Sequence, residues 1–238
     1  MLLSKHPRSA FNNHILAALP GTEYERLSPY LEMVRLPQHK ILYGAGDVVR
    51  YGYFPLGGMI SLVSVTASGR ALEVGMIGNE GMAGLPIILE SNISPYQVIV
   101  QLTCNAMRVK AEVVRATIKQ GGSLQSLLLR YAYMLLTQFS QSAACVSFHL
   151  VEARMCRWLL ISRDRVHSDT LQLTQEFLSY MLGVPRTSVT TVAVKLQKAG
   201  LIRYSRGKIQ ILDSQGLEDA SCECYRAVRE QISHFLVA

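Results

Sequence analysis

The sequence predicts an α+β fold in three consecutive parts: an N-terminal antiparallel β-roll, one long helix, and a C-terminal winged helix-turn-helix. Three observations predict it. Short β-prone runs alternate with glycine-rich turns from Val34 to about Val109. An apolar, nearly uncharged stretch from Ser123 to Ser147 keeps helical spacing. Leu173–Asp213 then reads as two short helices followed by a tight hairpin.

Phe11–Leu36 reads as helical, with breaks at Pro20-Gly21 and Pro29. Six strand-like runs follow: Lys40–Tyr43, Tyr51–Phe54, Met59–Thr66, Ala71–Met76, Gln97–Thr103 and Ala106–Lys110. Glycines between them supply the turns, and many short strands at this spacing imply a small antiparallel roll. Helical texture returns at Ala111 and breaks at Gly121-Gly122. In the long helix that follows, Leu124, Leu127, Leu128, Tyr131, Leu135 and Phe139 form the main apolar stripe, with Met134 beside it. The helix is longer than one roll needs, and its uncharged surface points to a partner helix from a second copy; packing within its own chain is the plain alternative. His149–Glu152 reads as a linker and Ala153–Ser162 as the first helix of the next module. The expected regions are therefore 1–122, a roll with N-terminal helices; 123–150, a dimerisation helix and hinge; and 151–238, the winged helix-turn-helix module.

Within that module, Thr174 is a good N-cap, and Leu178, Met181 and Leu182 give a short apolar stripe. Gly183 stands where a left-handed C-cap is wanted, and Pro185 is suited to open a helix. From Pro185 to Ala199, Val189, Val192, Ala193 and Leu196 share one face. The other faces carry Arg186, Thr187, Thr190, Thr191, Lys195 and Lys198 and no acid. Such a surface suits the DNA major groove, where hydroxyls and a guanidinium reach base edges and carboxylates would repel phosphate. Leu201–Tyr204 and Lys208–Leu212 form a hairpin around Ser205-Arg206-Gly207, the wing. Leu171–Leu212 holds six bases against one acid, Glu176, so the basic charge concentrates in the reading module.

Composition narrows the function classes. The chain has 238 residues, 49% hydrophobic and 17% charged, which describes packed globular structure. Its net charge of +7 has the sign that nucleic-acid binding needs. Cys104, Cys145, Cys156, Cys222 and Cys224 are odd in number and widely spaced, against a disulfide framework. Cys222-x-Cys224 alone offers too few ligands for a closed metal site, and no metal or other cofactor is expected. Cys145 and His149, one turn apart, lack the oxyanion element of a Cys–His nucleophile. The first residues carry no secretory h-region, and Tyr131–Val151, though uncharged, is interrupted by Gln138, Ser140, Gln141, Ser142, Ser147 and His149. A cytoplasmic location without a membrane span is the expectation. Hydrolase and P-loop motifs are absent from the sequence, so no enzymatic activity is expected.

The order of roll, long helix and winged helix-turn-helix resembles the Crp/Fnr family of bacterial transcription regulators. The resemblance spans nearly the whole chain and is strongest at GNEGMAG (Gly78–Gly84) and QEFLSYMLGVPRTSVTTVAVKLQKAGLI (Gln175–Ile202). It implies a cyclic-nucleotide-binding-like roll that senses an unidentified small-molecule effector, a homodimer, double-stranded DNA and RNA polymerase as partners, and an inverted-repeat operator. By similarity, Arg186, Thr187, Ser188 and Thr191 occupy base-reading positions, while Thr174, Gln175, Lys195, Lys198, Arg206 and Lys208 face phosphates. The family often has Glu at the place of Thr187 and Arg at that of Thr191, so a different half-site is expected. Gly78, Glu80, Gly84, Leu85, Tyr96 and Gln97 mark the effector pocket. Leu85 cannot accept a hydrogen bond from ribose, and Tyr96 and Gln97 cannot neutralise a cyclic phosphate. Tight cyclic AMP binding is therefore not expected, unless Glu80 and Arg108 form a shifted pocket. The iron–sulfur branch fails because the first fifty residues hold no Cys. A ligand-binding module acting through protein contacts is the alternative reading; the basic wing favours DNA.

Overall fold

The structure, a computed structural model, describes residues 12–237. Phe11 lies outside the described residues. Two short helices, α1 (His14–Ala17) and α2 (Gly21–Leu27), lead through a 3-10 turn at Ser28–Tyr30 into the roll. Asn13 caps α1 by accepting from the Leu16 amide, and its own amide group donates to Pro55 O (3.0 Å) and Gly81 O (2.8 Å). A buried Asn so satisfied fastens the helix to the roll.

The helical reading of 11–36 is corrected at its end: Glu32–Leu36 is a strand, β1, antiparallel to β7 (Cys104–Lys110). Pro29 stops the helix, and β1 lies at a sheet edge with only Leu36 buried. Backbone pairing with a segment far along the chain, not side-chain alternation, defines it. The six strand-like runs all form strands. The first sheet has the order β1-β7-β3, with β3 at Tyr51–Pro55. The second joins β2 (Ile41–Tyr43), β6 (Gln97–Leu102), β4 (Met59–Val65) and β5 (Ala71–Ile77) in the order β2-β6-β4-β5. Leu36, Phe54 and Met107 from one sheet share a core with Ile60, Leu62, Ile77, Val98 and Val100 from the other. A short helix, α3 (Leu85–Ile88), follows the Gly78–Gly84 turn.

After α4 (Ala111–Lys119), Gly121 and Gly122 adopt φ of 79° and 103°, a conformation that only glycine takes easily. They release the chain into α5 (Ser123–Phe148). Leu124, Leu128, Tyr131 and Leu135 are buried against the chain's own roll. At Gly75 and Gly81 a Cβ would fall 2.5 Å from Phe139 and 2.1 Å from Tyr131, so these glycines let α5 lie directly on the roll backbone. The apolar stripe read from the sequence thus packs within the chain. Leu129, Tyr133 and Leu136 are among the large apolar side chains of α5 left exposed away from the roll.

The linker is shorter than its sequence suggested. His149 and Leu150 alone are extended, and Val151 and Glu152 already belong to α6 (Val151–Val166), which also outruns the expected Ala153–Ser162. A short strand, β8 (Thr170–Gln172), precedes α7 (Gln175–Leu182) and α8 (Arg186–Lys198). It then pairs with β10 (Lys208–Ile211), which also pairs with β9 (Ile202–Ser205). The chain ends in α9 (Ser214–Asp219) and α10 (Cys224–Val237). The last helix packs back on α5, where Arg130 donates to Phe235 O at 2.8 Å. Met59, Val63, Ala71 and Met76 of the roll share a core with Trp158, Leu178 and Leu196 of the C-terminal part. Among the described residues no helix is long and apolar enough to cross a membrane.

Candidate nucleic-acid interface

The reading helix is positioned from below by apolar contacts. Phe177, Leu178, Met181 and Leu182 of α7 and Val189, Ala193 and Leu196 of α8 are buried in one cluster. Thr174 Oγ1 accepts from the Phe177 amide at 3.1 Å, the expected N-cap, and Gly183 turns the chain at φ 64°. This leaves Arg186, Thr187, Thr191 and Lys198 exposed on α8, with Ser188 half-buried. Helix α8 contains no carboxylate. Thr191 Oγ1 donates to Thr187 O at 3.0 Å, and Thr190 Oγ1 lies 2.8 Å from Gln175 Oε1. The threonine protons are thus held by the protein, and their lone pairs remain free to accept. Among the described residues, Arg186, Lys198, Arg206 and Lys208 make no ion pair, whereas Lys195 reaches Glu152 at 2.5 Å.

The wing is tighter than its sequence suggested. Ser205 pairs with Lys208, so the turn has two residues, Arg206 and Gly207, with φ of 48° and 74°. Two positive φ values match the twist of antiparallel strands. Leu173 N donates to Gly207 O (2.7 Å) and Tyr204 Oη to Leu173 O (3.1 Å), which ties the wing to the start of α7. Thr174, Gln175, Arg206 and Lys208 therefore sit on neighbouring elements beside α8.

The proposed effector residues have other partners. Glu80, buried, accepts from Arg165 Nη2 of α6 at 2.8 Å and from the Gly78 amide at 3.0 Å. Leu85 lies in the roll core, Tyr96 packs on Phe139 of α5 with ring centroids 5.5 Å apart, and Gln97 accepts from Tyr180 of α7 at 2.7 Å. Arg108, offered as part of a shifted pocket, pairs instead with Glu32 at 2.5 Å.

A second group in this junction was missed in the sequence. Glu73 of β5 accepts from Trp158 Nε1 of α6 at 2.9 Å and lies 2.5 Å from Ser61 Oγ. Burial pushes its carboxyl up to about 7, against the pull of the Ser61 and Trp158 hydrogen bonds and the charges of Arg157 and Arg165. The available signal was parity: Glu73 shares its side of β5 with buried Ala71 and Gly75.

A roll that carries a winged helix-turn-helix at the end of a long helix is the architecture of a DNA-binding transcriptional regulator. Residues 33–120 match the cyclic nucleotide-binding domain family and residues 153–220 the Crp-like helix-turn-helix domain family. The chain belongs to the Crp/Fnr family of transcriptional regulators, which are DNA-binding transcription factors and not enzymes. Solved structures of similar fold include FixK2 from Bradyrhizobium japonicum (TM-score 0.69, 13% identity, covering 81% of this chain and 98% of that one). Another is CLP, a c-di-GMP responsive global regulator from Xanthomonas campestris (TM-score 0.65, 18% identity, 82% and 100%). A third is a CRP-family transcriptional regulator from Thermus thermophilus (TM-score 0.66, 17% identity, 79% and 96%). A search of curated proteins returned no match.

Proposed function

We propose that this Crp/Fnr-type regulator acts as a homodimer that reads an inverted-repeat operator through α8, under control of an effector sensed by the roll. The observation that carries the reading is the exposed, acid-free face of α8 set beside a basic wing. Arg186, in the first turn of α8, reads a base, and its planar fork matches guanine O6 and N7. Thr187, Ser188 and Thr191 complete the base-reading set as acceptors and small contacts. Lys198, Arg206 and Lys208, with Thr174 and Gln175, contact phosphate; Lys195 joins them on leaving Glu152. Two copies present their reading helices to half-sites about 34 Å apart, one turn of DNA. RNA polymerase is the further partner that a promoter-bound regulator engages.

The regions 1–122, 123–150 and 151–238 serve as sensor, dimer helix and DNA module. Exposed Leu129, Tyr133, Leu136, Ser140, Ala143 and Ser147 recur at alternating steps of four and three on α5, the spacing of a two-helix seam. The effector is not a cyclic nucleotide of the cyclic AMP kind, because Leu85, Tyr96 and Gln97 supply neither a ribose acceptor nor a cation and are engaged within the chain.

Fluorescence anisotropy on a selected operator and on random DNA tests the reading. Arg186→Ala is expected to weaken operator binding by on the order of 1–3 kcal/mol per half-site and to relax the preference at one base pair. Lys208→Ala is expected to weaken both DNAs alike and to reduce the salt slope by about one. An Arg186→Ala protein with full discrimination would reject the assignment.

A further inference from the structure

Cys222-x-Cys224 and the pair Cys145/His149 each fall short of a metal site in the sequence. The fold joins them. Cys145 lies in the last turn of α5, His149 is the extended residue that ends it, and Cys222 and Cys224 bracket the entry to α10. The four ligand atoms lie within 4.8 Å of one another. Cys145 Sγ is 3.6 Å from Cys222 Sγ, and Cys224 Sγ is 3.5 Å from His149 Nδ1. A tetrahedral zinc with ordinary bond lengths would place sulfur atoms about 3.8 Å apart and sulfur and nitrogen about 3.6 Å apart. A disulfide needs about 2.05 Å, so this spacing is that of ligands around a common centre and not of a bond.

The surroundings match as well. Cys145 and Cys224 are 0% exposed and Cys222 5%, which suits a closed site, while His149 sits at the rim. His149 Nε2 lies 3.1 Å from Glu223 Oε1. A carboxylate on the far nitrogen fixes the tautomer that leaves Nδ1 free to ligate. Gln141 Nε2 donates to Cys224 Sγ at 3.0 Å, a hydrogen bond of the kind that steadies a thiolate. Three thiolates and one divalent ion leave a net charge of −1. Arg154 and Arg157, both 7% exposed, interact electrostatically with Cys145 and offset it.

We infer that Cys145, His149, Cys222 and Cys224 form a Cys3His site for a thiophilic divalent cation, zinc, that clamps the start of α10 to the end of α5. The clamp lies beside the two-residue hinge between α5 and α6, and Arg154 runs from it to Leu182 O of the helix-turn-helix at 2.5 Å. The bound ion therefore holds the angle at which the reading module leaves the long helix. The inference does not depend on which DNA or effector the protein binds.

The full-length protein, purified under reducing conditions and reconstituted with zinc, is expected to hold one zinc per chain by plasma mass spectrometry. Reduced metal-free protein titrated with cobalt(II) is expected to show intense tetrahedral ligand-field bands and thiolate-to-metal charge transfer. Cys222→Ser and Cys224→Ser should abolish both signals with an unchanged helical circular dichroism spectrum. His149→Cys, which substitutes one ligand type for another, should retain the metal and strengthen the charge transfer. Because the wild-type stoichiometry and cobalt spectrum decide the matter by themselves, a serine variant that fails to fold leaves the test intact. The inference is overturned by a reconstituted wild type without bound zinc, by a weak octahedral cobalt spectrum, by serine variants that bind like wild type, or by a Cys145–Cys222 disulfide in the isolated protein.

Discussion

Ser61 has one hydroxyl proton and two close neighbours placed as acceptors, Glu73 Oε2 and Gln101 Oε1. A protonated Glu73 satisfies all three groups, its O–H donating to Ser61, Ser61 donating to Gln101 and the other carboxyl oxygen accepting from Trp158. An ionised Glu73 is satisfied only with the Gln101 amide turned, so that Nε2, otherwise without a partner, donates to Ser61. Burial, which lifts Glu73 from 4.5 to about 7, favours the protonated form, while Arg157 and Arg165 oppose it. The native state therefore keeps a proton that the unfolded chain releases. The stabilisation is full below pH 4.5 and is lost as pH rises through about 7, where a buried carboxylate must form. Urea unfolding should show wild-type stability falling between about pH 4.5 and 7 and levelling off above that, while Glu73→Gln, neutral throughout, lacks this fall. Equal slopes for the two proteins would remove Glu73 from this role. Its parity on β5 was visible in the sequence; the indole that meets it, from the chain's only tryptophan, was not.

At the scale of elements, α5 was readable because its period is local, but its cap was not. Gly122, before its first turn, has no side chain, and the carboxylate of Glu23 in α2 instead accepts from the amides of Ser123 (2.9 Å) and Leu124 (3.0 Å). These backbone bonds hold the Glu23 carboxyl below its usual range, so its contribution is present at neutral pH and is lost as pH falls through that lowered value. Glu23→Ala should cost roughly 1 kcal/mol in thermal or urea unfolding at neutral pH. A change within error would mean that water caps α5 equally well. Strands β1 and β8 were missed for a related reason. One is an exposed edge and the other three residues long, and both exist by pairing with β7 and β10 much later in the chain.

Across the whole molecule, the face of α5 that packs inward separates stability from assembly. Leu135 is fully buried in the chain's own core, so Leu135→Glu should unfold the protein whatever its oligomeric state. Tyr133 is 70% and Leu136 52% exposed, and they lie on the seam proposed for a second copy. Sedimentation velocity at micromolar concentration should show a dimer for wild type and a folded monomer for Tyr133→Glu combined with Leu136→Glu. A dimer that survives both charges would place the interface elsewhere.

The sequence by itself determined the order of roll, long helix and winged module, most of the roll strands, and the acid-free face of α8. All of these rest on periods, caps and turn residues that act within a few positions. Tertiary structure alone decided which side of α5 faces inward, that Glu80 and Gln97 contact α6 and α7, and that four ligands from two distant segments meet at the hinge. Each of these depends on groups brought together by burial across a long stretch of chain, and no local pattern records which distant side chain will fill a given space.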